Sequence, residues 1–192
     1  IALNAGSEAN ARAIWTAIRD MKLRDIFVQF EMAEEITRQG QLKLAKDVWS
    51  YLYKRTPSDP KLRTVATMQL GMALTRLGES DKAIAHYEAA LRTLPAEHWS
   101  VIDLYEGLLT AHRQAGSIDK FAEILQRRKR TYPALLMLAK VYEELGQTQK
   151  ALGGYRAAVR RRPTNDSAKQ SILRLLKQVG TPKELEAEYQ RL

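Results

Sequence analysis

The 192-residue sequence contains no cysteine, which excludes disulfides, thiol catalysis and metal sites built on thiolates. No apolar run approaches the ~20 residues that a membrane-spanning helix needs. The first ten residues, IALNAGSEAN, lack the basic flank and the apolar block of a signal peptide. Because the chain does not begin with Met, we interpret it as a processed product or an excised piece. The repeat pattern described below is incomplete at both ends, which indicates a segment of a longer protein with other domains. The compartment stays open, whether cytoplasmic or periplasmic.

The sequence also lacks the residue groupings of known catalytic sites. It has no Gly-rich phosphate loop, no G-x-S-x-G and no H-E-x-x-H. His86, His98 and His112 have no spacing typical of a metal site, and His112 occupies a position that other repeat units fill with packing residues. We therefore predict a protein that is not an enzyme and needs neither a cofactor nor a metal.

Acidic residues are in the minority, since 22 Asp and Glu stand against 31 Lys and Arg, for a formal net charge of +9. A positive excess favours acidic partners in general, namely nucleic acid, anionic lipid or acidic proteins. It is equally compatible with a protein that is merely basic. The placement of the charges has to decide between these readings.

What the sequence does contain is an internal repeat. A Gly is followed 17 positions later by a Pro at four places: Gly40 to Pro57, Gly78 to Pro95, Gly116 to Pro133 and Gly146 to Pro163. Five positions after these glycines stand Ala45, Ala83, Phe121 and Ala151, and nine positions after them stand Trp49, Tyr87, Leu125 and Tyr155. A fifth glycine, Gly180, is followed at the same offsets by Leu185 and Tyr189. Periods of this length indicate a stacked array of small units.

Each recurring residue of the repeat is explained by a structural role. The Gly is predicted to end a helix, because the left-handed conformation costs least without a Cβ. The Ala lets a second helix approach closely, and the large residue at the ninth offset falls on the same face. The Pro marks the end of that second helix. Each unit is therefore predicted to be a helix, a turn and an antiparallel helix.

The pattern resembles the tetratricopeptide repeat, W-x2-L-G-x2-Y, then A-x3-F, then P. The best match is LLMLAKVY at 135–142 with Ala151, Tyr155 and Pro163. The resemblance implies an all-α fold whose antiparallel helix-turn-helix repeats stack into a right-handed superhelical solenoid. It places repeats at 26–59, 64–97, 102–131 and 132–165, with a partial repeat at 166–192. Residues 1–25 then resemble the second helix of a preceding repeat, with a helix at 7–22 and Ser7 as its N-cap.

Two departures from the pattern call for an explanation. Repeat 102–131 has Leu109 and Phe121 where small residues are expected, so we predict an irregular step in the stack there. Repeat 132–165 carries Gly153 and Gly154 inside its second helix, at ~1 kcal/mol each relative to Ala. Sequence drift and close packing of a neighbouring helix are the two alternatives.

Members of this family bind ligands in a groove lined by the first helix of each repeat, so the resemblance implies a non-catalytic scaffold that binds a peptide or helical segment of a partner protein. The Lys and Asn set that clamps chaperone C-terminal tails in some relatives is absent. The groove candidates are an apolar, Met-containing group with charged neighbours: Phe27, Phe30, Glu34, Arg38, Val65, Met68, Met72 and Arg76. Met adapts to varied apolar partners. Alternatively, the N-terminal helix or a missing neighbour covers this group.

Basic residues crowd the ends of two predicted second helices: Arg127, Arg128, Lys129, Arg130, Arg160, Arg161 and Arg162, together called the basic ridge. Complementing the helix dipole accounts for one or two cations per helix. The remainder suggests contact with an acidic protein, a phosphate backbone or anionic lipid. Tyr132 is the only neighbouring aromatic residue in the sequence, which argues against sequence-specific reading of RNA. A structural spacer or an oligomerisation module is the third alternative.

Overall fold

A computed structural model describes residues 8–20, 25–56, 59–128, 130–164 and 166–191. In this part of the chain there are eleven α-helices and no β-strand, so the all-α prediction is confirmed. The helices are α1 Glu8–Asp20, α2 Ile26–Arg38, α3 Leu42–Arg55, α4 Pro60–Arg76, α5 Ser80–Thr93, α6 Val101–Gln114, α7 Ile118–Arg127, α8 Tyr132–Glu144, α9 Thr148–Arg161, α10 Asp166–Val179 and α11 Pro182–Arg191.

The turns between paired helices follow the repeat pattern. Gly40, Gly78, Gly116 and Gly146 all have positive φ, between 65° and 79°. At Gly40 the glycine N–H bonds to the carbonyl of Thr37, and the following N–H bonds to that of Ile36. This pair of bonds is the Schellman motif, and the other three glycines form the same pair. The predicted glycine caps are confirmed at these positions.

Gly180 departs from the series, because its φ lies outside the left-handed region. The α10–α11 turn is set instead by a capping box. Thr181 Oγ1 accepts a bond from the Glu184 N–H at 3.2 Å, and Glu184 Oε2 accepts one from the Thr181 N–H at 2.8 Å. Gly180 thus follows the end of a helix, as the repeat glycines are predicted to do, but without the left-handed conformation.

The chain divides into two compact units, residues 1–90 and 91–192, and α5 crosses this division. In the first unit, α3 packs against both α2 and α4. Trp49 of α3 is fully buried, its Nε1 donates to Thr37 Oγ1 at 2.8 Å, and Phe30 meets it edge-on at 5.4 Å. The N-terminal helix packs here too, with Trp15 buried edge-on against Tyr51 at 5.5 Å. Ser7, its predicted N-cap, lies outside the described residues.

The core of the second unit is formed mainly by α8, α9 and α10, with Ala139, Ala151, Tyr155 and Ile172 fully buried. The second helix of its first pair, α7, has only ten residues, whereas α3 and α9 have fourteen. Phe121 fills the core of that pair, and the His112 ring stacks on it at 5.0 Å and 10°. The buried position of His112 confirms its predicted packing role.

Candidate functional site

The groove candidates on α2 have different surroundings. Phe27 is 63% exposed in the first turn, where its N–H bonds to the Asp25 side chain. Glu34 and Arg38 are also exposed, and Arg38 pairs with Glu35 one turn away. Phe30 is only 6% exposed because its ring packs on Trp49. Phe27 therefore offers apolar surface, whereas Phe30 holds α2 to α3.

The groove candidates on α4 are mostly half-buried. Val65, Met68 and Met72 are of intermediate exposure, and Arg76 is exposed in the last turn. Among them lies Gln69, whose Oε1 is buried and accepts no hydrogen bond from the described residues. Part of each of these three apolar side chains thus remains accessible along α4. Beside them lies Gln69 Oε1, a hydrogen-bond acceptor that has no donor among the described residues.

The first helices of the second unit carry a series of ion pairs that the sequence analysis missed. Lys140 of α8 pairs with Glu106 of α6, and α6 and α8 pack directly on each other. Glu144 accepts the guanidinium of Arg113, with 3.1 Å between Arg113 Nε and Glu144 Oε2. In each pair the two residues are separated by 31 or 34 positions, about one repeat.

The next pair continues the series to α10. Glu143 Oε1 forms an ion pair with Arg174 Nη1 at 2.7 Å, and Glu143 Oε2 accepts a hydrogen bond from the Tyr155 hydroxyl at 3.0 Å. The guanidinium lowers the pKa of Glu143, and the carboxylates of Glu143 and Glu144 raise the pKa values of Arg174 and Arg113. The positions equivalent to the groove candidates are therefore largely engaged with one another in the second unit.

The basic ridge lies wholly in the second unit. Arg127, Arg128, Arg130, Arg160 and Arg161 are exposed, and within the described part of the chain none of them forms an ion pair. Lys129 lies outside the described residues. The structure therefore supports an exposed, uncompensated charge at these five arginines.

Arg162, the last member of the ridge, is engaged in the fold. Its guanidinium lies 4.6 Å from the centre of the Tyr132 ring and donates to Glu97 at 2.8 Å. Glu97 also accepts the Tyr132 backbone N–H at 3.1 Å. We call this group of Glu97, Tyr132 and Arg162 the Glu97 junction. It holds together the α5–α6 connection, the start of α8 and the end of α9.

Trp99 lies two residues beyond Glu97 in the same connection and is 58% exposed. Its ring contacts that of His98, with 5.3 Å between the centres. Trp99 falls between repeats 64–97 and 102–131, so the repeat pattern assigns it no place. Only the contacts of Glu97 reveal that an exposed aromatic residue belongs to the same end of the unit as the ridge.

Within the described residues, no group of three or more His, Asp or Glu side chains is placed to hold a metal ion. None of the helices described is long and apolar enough to cross a membrane.

The described helices thus form hairpins, and four of the turns share one glycine motif. Two segments, 66–93 and 133–165, match models of the tetratricopeptide repeat. The chain thus contains tetratricopeptide repeats, as its sequence pattern predicts.

Solved structures support the same fold. TTC0263, a thermophilic tetratricopeptide repeat protein of Thermus thermophilus, is 20% identical, with 85% of this chain and 87% of that chain covered and a TM-score of 0.52. A putative kinesin light chain of Podospora anserina, with nearly identical repeats, is 19% identical over 86% and 92% of the chains, at a TM-score of 0.53. At these identities the likeness concerns the fold alone. No curated protein matches the chain.

Proposed function

We propose that this chain is a non-catalytic scaffold that binds an apolar helical or extended segment of a partner protein on α2 and α4 of its first unit. Tetratricopeptide repeats in general serve protein–protein interaction, and the repeats are established here. The finer proposal concerns which surface is used. The observation that carries it is the exposure of Phe27 on a first helix.

With 63% of its surface exposed, the Phe27 side chain is not part of the buried core of the first unit. Covering apolar surface contributes roughly 25 cal/mol per Å². Phe27, with the accessible parts of Val65, Met68 and Met72, offers such surface on first helices of the same unit. Unbranched Met side chains can adjust to the shape of a bound segment.

Polar groups on the same helices could orient the bound segment. Arg38 and Arg76 end α2 and α4, and Glu34 is exposed one turn before Arg38. The unengaged Gln69 Oε1 would accept a backbone or side-chain N–H after a rotation of its amide. An apolar centre with a polar margin is the usual composition of a specific interface.

The second unit supports this choice by contrast. On its first helices the charges pair with one another, as in Lys140 with Glu106 and Arg174 with Glu143. Binding a segment there would require those pairs to lose water or partners, at a cost in free energy. Within the described part of the chain, the groove candidates of the first unit form no comparable series of ion pairs, so a ligand bound there avoids this cost.

The proposal can be tested with peptides selected from a random 12-residue display library. One selected peptide is synthesised with a fluorescent label, and its Kd is measured by anisotropy. We expect Phe27→Ala to weaken binding by about tenfold or more, as for a buried aromatic anchor. Met68→Ala with Met72→Ala should weaken it as well.

The matched control is Val179→Ala, which removes an exposed apolar side chain from the second unit. It should leave the Kd unchanged. Selected peptides whose binding is insensitive to Phe27→Ala and to the double Met variant would contradict the proposal. Circular dichroism of each variant separates lost binding from lost folding.

A further inference from the structure

We propose that the second unit carries a separate site for single-stranded nucleic acid, formed by Trp99 and the exposed arginines of the basic ridge. This site is independent of the peptide surface on the first unit. Among the described residues, Trp99 is the one exposed aromatic residue that lies at the same end of the unit as the basic ridge, and this site gives it a ligand.

The Glu97 junction fixes the members of this site at one end of the unit. Tyr132 begins α8, so Arg130 is two residues away from the junction on one side. Arg162 directly follows α9, so Arg160 and Arg161 belong to the last turn beside it. Trp99 is two residues from Glu97, and two residues of chain span at most ~7 Å. A base stacked on Trp99 would therefore have several guanidinium groups within reach of its flanking phosphates.

This surface carries more positive charge than ion pairs and helix C-termini within the fold account for. Glu97 is engaged by Arg162, whereas Arg128, Arg130, Arg160 and Arg161 form no ion pair in the described part of the chain. A helix C-terminus favours one or two cations nearby, and more than that repel one another. Phosphates would relieve this repulsion. Arginine also suits them, because its planar guanidinium binds phosphate through two parallel hydrogen bonds.

Trp99 distinguishes between the possible anions. An acidic peptide would need the arginines but no stacking face. A lipid surface would need several apolar side chains, yet the other exposed large hydrophobic residues described in this unit, Val179 and Tyr189, belong to α10 and α11. Single-stranded nucleic acid needs both cations and an accessible aromatic ring, because its bases stack and its phosphates are charged. The combination of residues favours this ligand.

The test uses fluorescein-labelled dT20 and rU20 with the whole chain, and anisotropy gives the Kd between 50 and 200 mM NaCl. We expect Trp99→Ala to weaken binding ~5- to 150-fold, the range for loss of one stacked base. Trp99→Phe should keep most of the affinity, because it keeps a ring. Since Trp99 is exposed, both variants should fold like the wild type.

The arginines are tested together by changing Arg128, Arg130, Arg160 and Arg161 to Gln. The variant should bind more weakly, and the slope of log K against log salt should fall by about 0.7 for each phosphate that the variant no longer neutralises. The matched control changes four exposed lysines elsewhere to Gln: Lys43, Lys61, Lys120 and Lys183. It removes the same net charge and should keep most of the affinity and slope.

Two results would overturn the proposal. One is oligonucleotide binding that is indifferent to Trp99→Ala or that falls equally in the lysine control, which would indicate unspecific attraction of polyanions. The other is the absence of oligonucleotide binding at 50 mM NaCl, whether or not polyglutamate or anionic vesicles bind. Phe27→Ala should leave oligonucleotide binding unchanged, so the peptide site and the nucleic-acid site fail separately.

Discussion

Gly153 and Gly154 show how much the surroundings of a single residue decide. They are neighbours in α9, and the sequence alone leaves drift and close packing as alternatives for both. A Cβ on Gly153 would meet nothing within 4 Å, whereas one on Gly154 would lie 2.9 Å from Ala139 Cβ and 3.2 Å from Ala139 Cα. Close packing therefore explains Gly154, and no contact explains Gly153.

We expect opposite effects when each glycine is replaced by Ala. Gly153→Ala should raise the free energy of unfolding by roughly 0.5–1 kcal/mol, because Ala is the better helix former. Gly154→Ala should lower it by about 1 kcal/mol or more, since overpacking against the α8 backbone exceeds that gain. Urea unfolding followed by circular dichroism measures both.

A second substitution checks the cause. Adding Ala139→Gly to Gly154→Ala moves the missing methyl group to the other helix and should return most of the lost stability. If the double variant is no more stable than Gly154→Ala, packing against Ala139 is not the reason.

At the scale of elements, α11 is attached by a buried charge. Glu188 is 4% exposed and receives the guanidinium of Arg156 from α9, at 3.2 Å to Arg156 Nε and 2.7 Å to Nη2. Two parallel bonds fix the orientation of α11 more firmly than Leu185, a partly buried apolar side chain of this helix, would alone. The carboxylate also raises the pKa of Arg156.

Glu188→Ala should therefore detach α11. We expect the free energy of unfolding to fall by about 1–3 kcal/mol, less than for a fully buried pair because Arg156 can still reach water. Amide hydrogen exchange should lose protection mainly within 182–191. Glu186→Ala, an exposed carboxylate on the same helix, is the control and should change little. Equal effects of the two variants would rule out the ion pair as the attachment.

At the scale of the whole molecule, several pKa values tie stability to pH. Lys46 and Lys82 lower the pKa of Glu79 to about 2, and Arg174 lowers that of Glu143. Both carboxylates therefore stabilise the fold above about pH 4.5, and this contribution is lost as the pH falls. Burial lowers the pKa of His86, so its neutral ring is favoured and stability falls with the pH below about 6.5.

Buried tyrosines limit the alkaline side. Burial raises the pKa of Tyr87 to about 12 and also raises that of Tyr155, where Glu143 adds to the effect. A raised pKa favours the protonated hydroxyl in the folded chain. The contribution is complete below about pH 10 and is lost as the pH rises towards 12.

The melting temperature should therefore be highest between about pH 7 and about pH 9.5 and should fall on both sides. Circular dichroism from pH 4 to pH 11.5 measures the profile. His86→Gln should flatten the slope between pH 5 and 7, and Tyr87→Phe should flatten the alkaline slope alone. A profile that stays level from pH 5 to 7 in the wild type would contradict the role of His86.

The sequence predicts the fold better than it predicts the sites. A turn glycine such as Gly40 and a large buried residue such as Trp49 recur at one spacing in successive helix pairs, so they are visible without a structure. Phe27 and Phe30 are both apolar on one helix, and the sequence cannot show that Trp49 covers only the second. Trp99 lies outside the repeat, so only the contacts of Glu97 give it a place.

The ion pairs of the second unit could have been predicted from the sequence. Opposite charges recur about one repeat apart, as in Glu106 with Lys140. Comparing each first helix with the next, rather than reading each repeat alone, would have exposed them. The recurring letters of the repeat concern packing within a helix pair, whereas these ion pairs concern the step from one helix pair to the next.

The offset of about one repeat constrains how such a chain can evolve. Six side-chain pairs, from Arg12–Asp47 to Arg156–Glu188, join residues 31 to 35 positions apart in adjacent repeats. A charge reversal in one repeat therefore has its compensating position in the adjacent repeat. Among related sequences, substitutions that reverse one charge of such a pair should occur together with a reversal about one repeat away. A chimera that imports a single foreign repeat should lose ion pairs with the repeat before it and with the repeat after it.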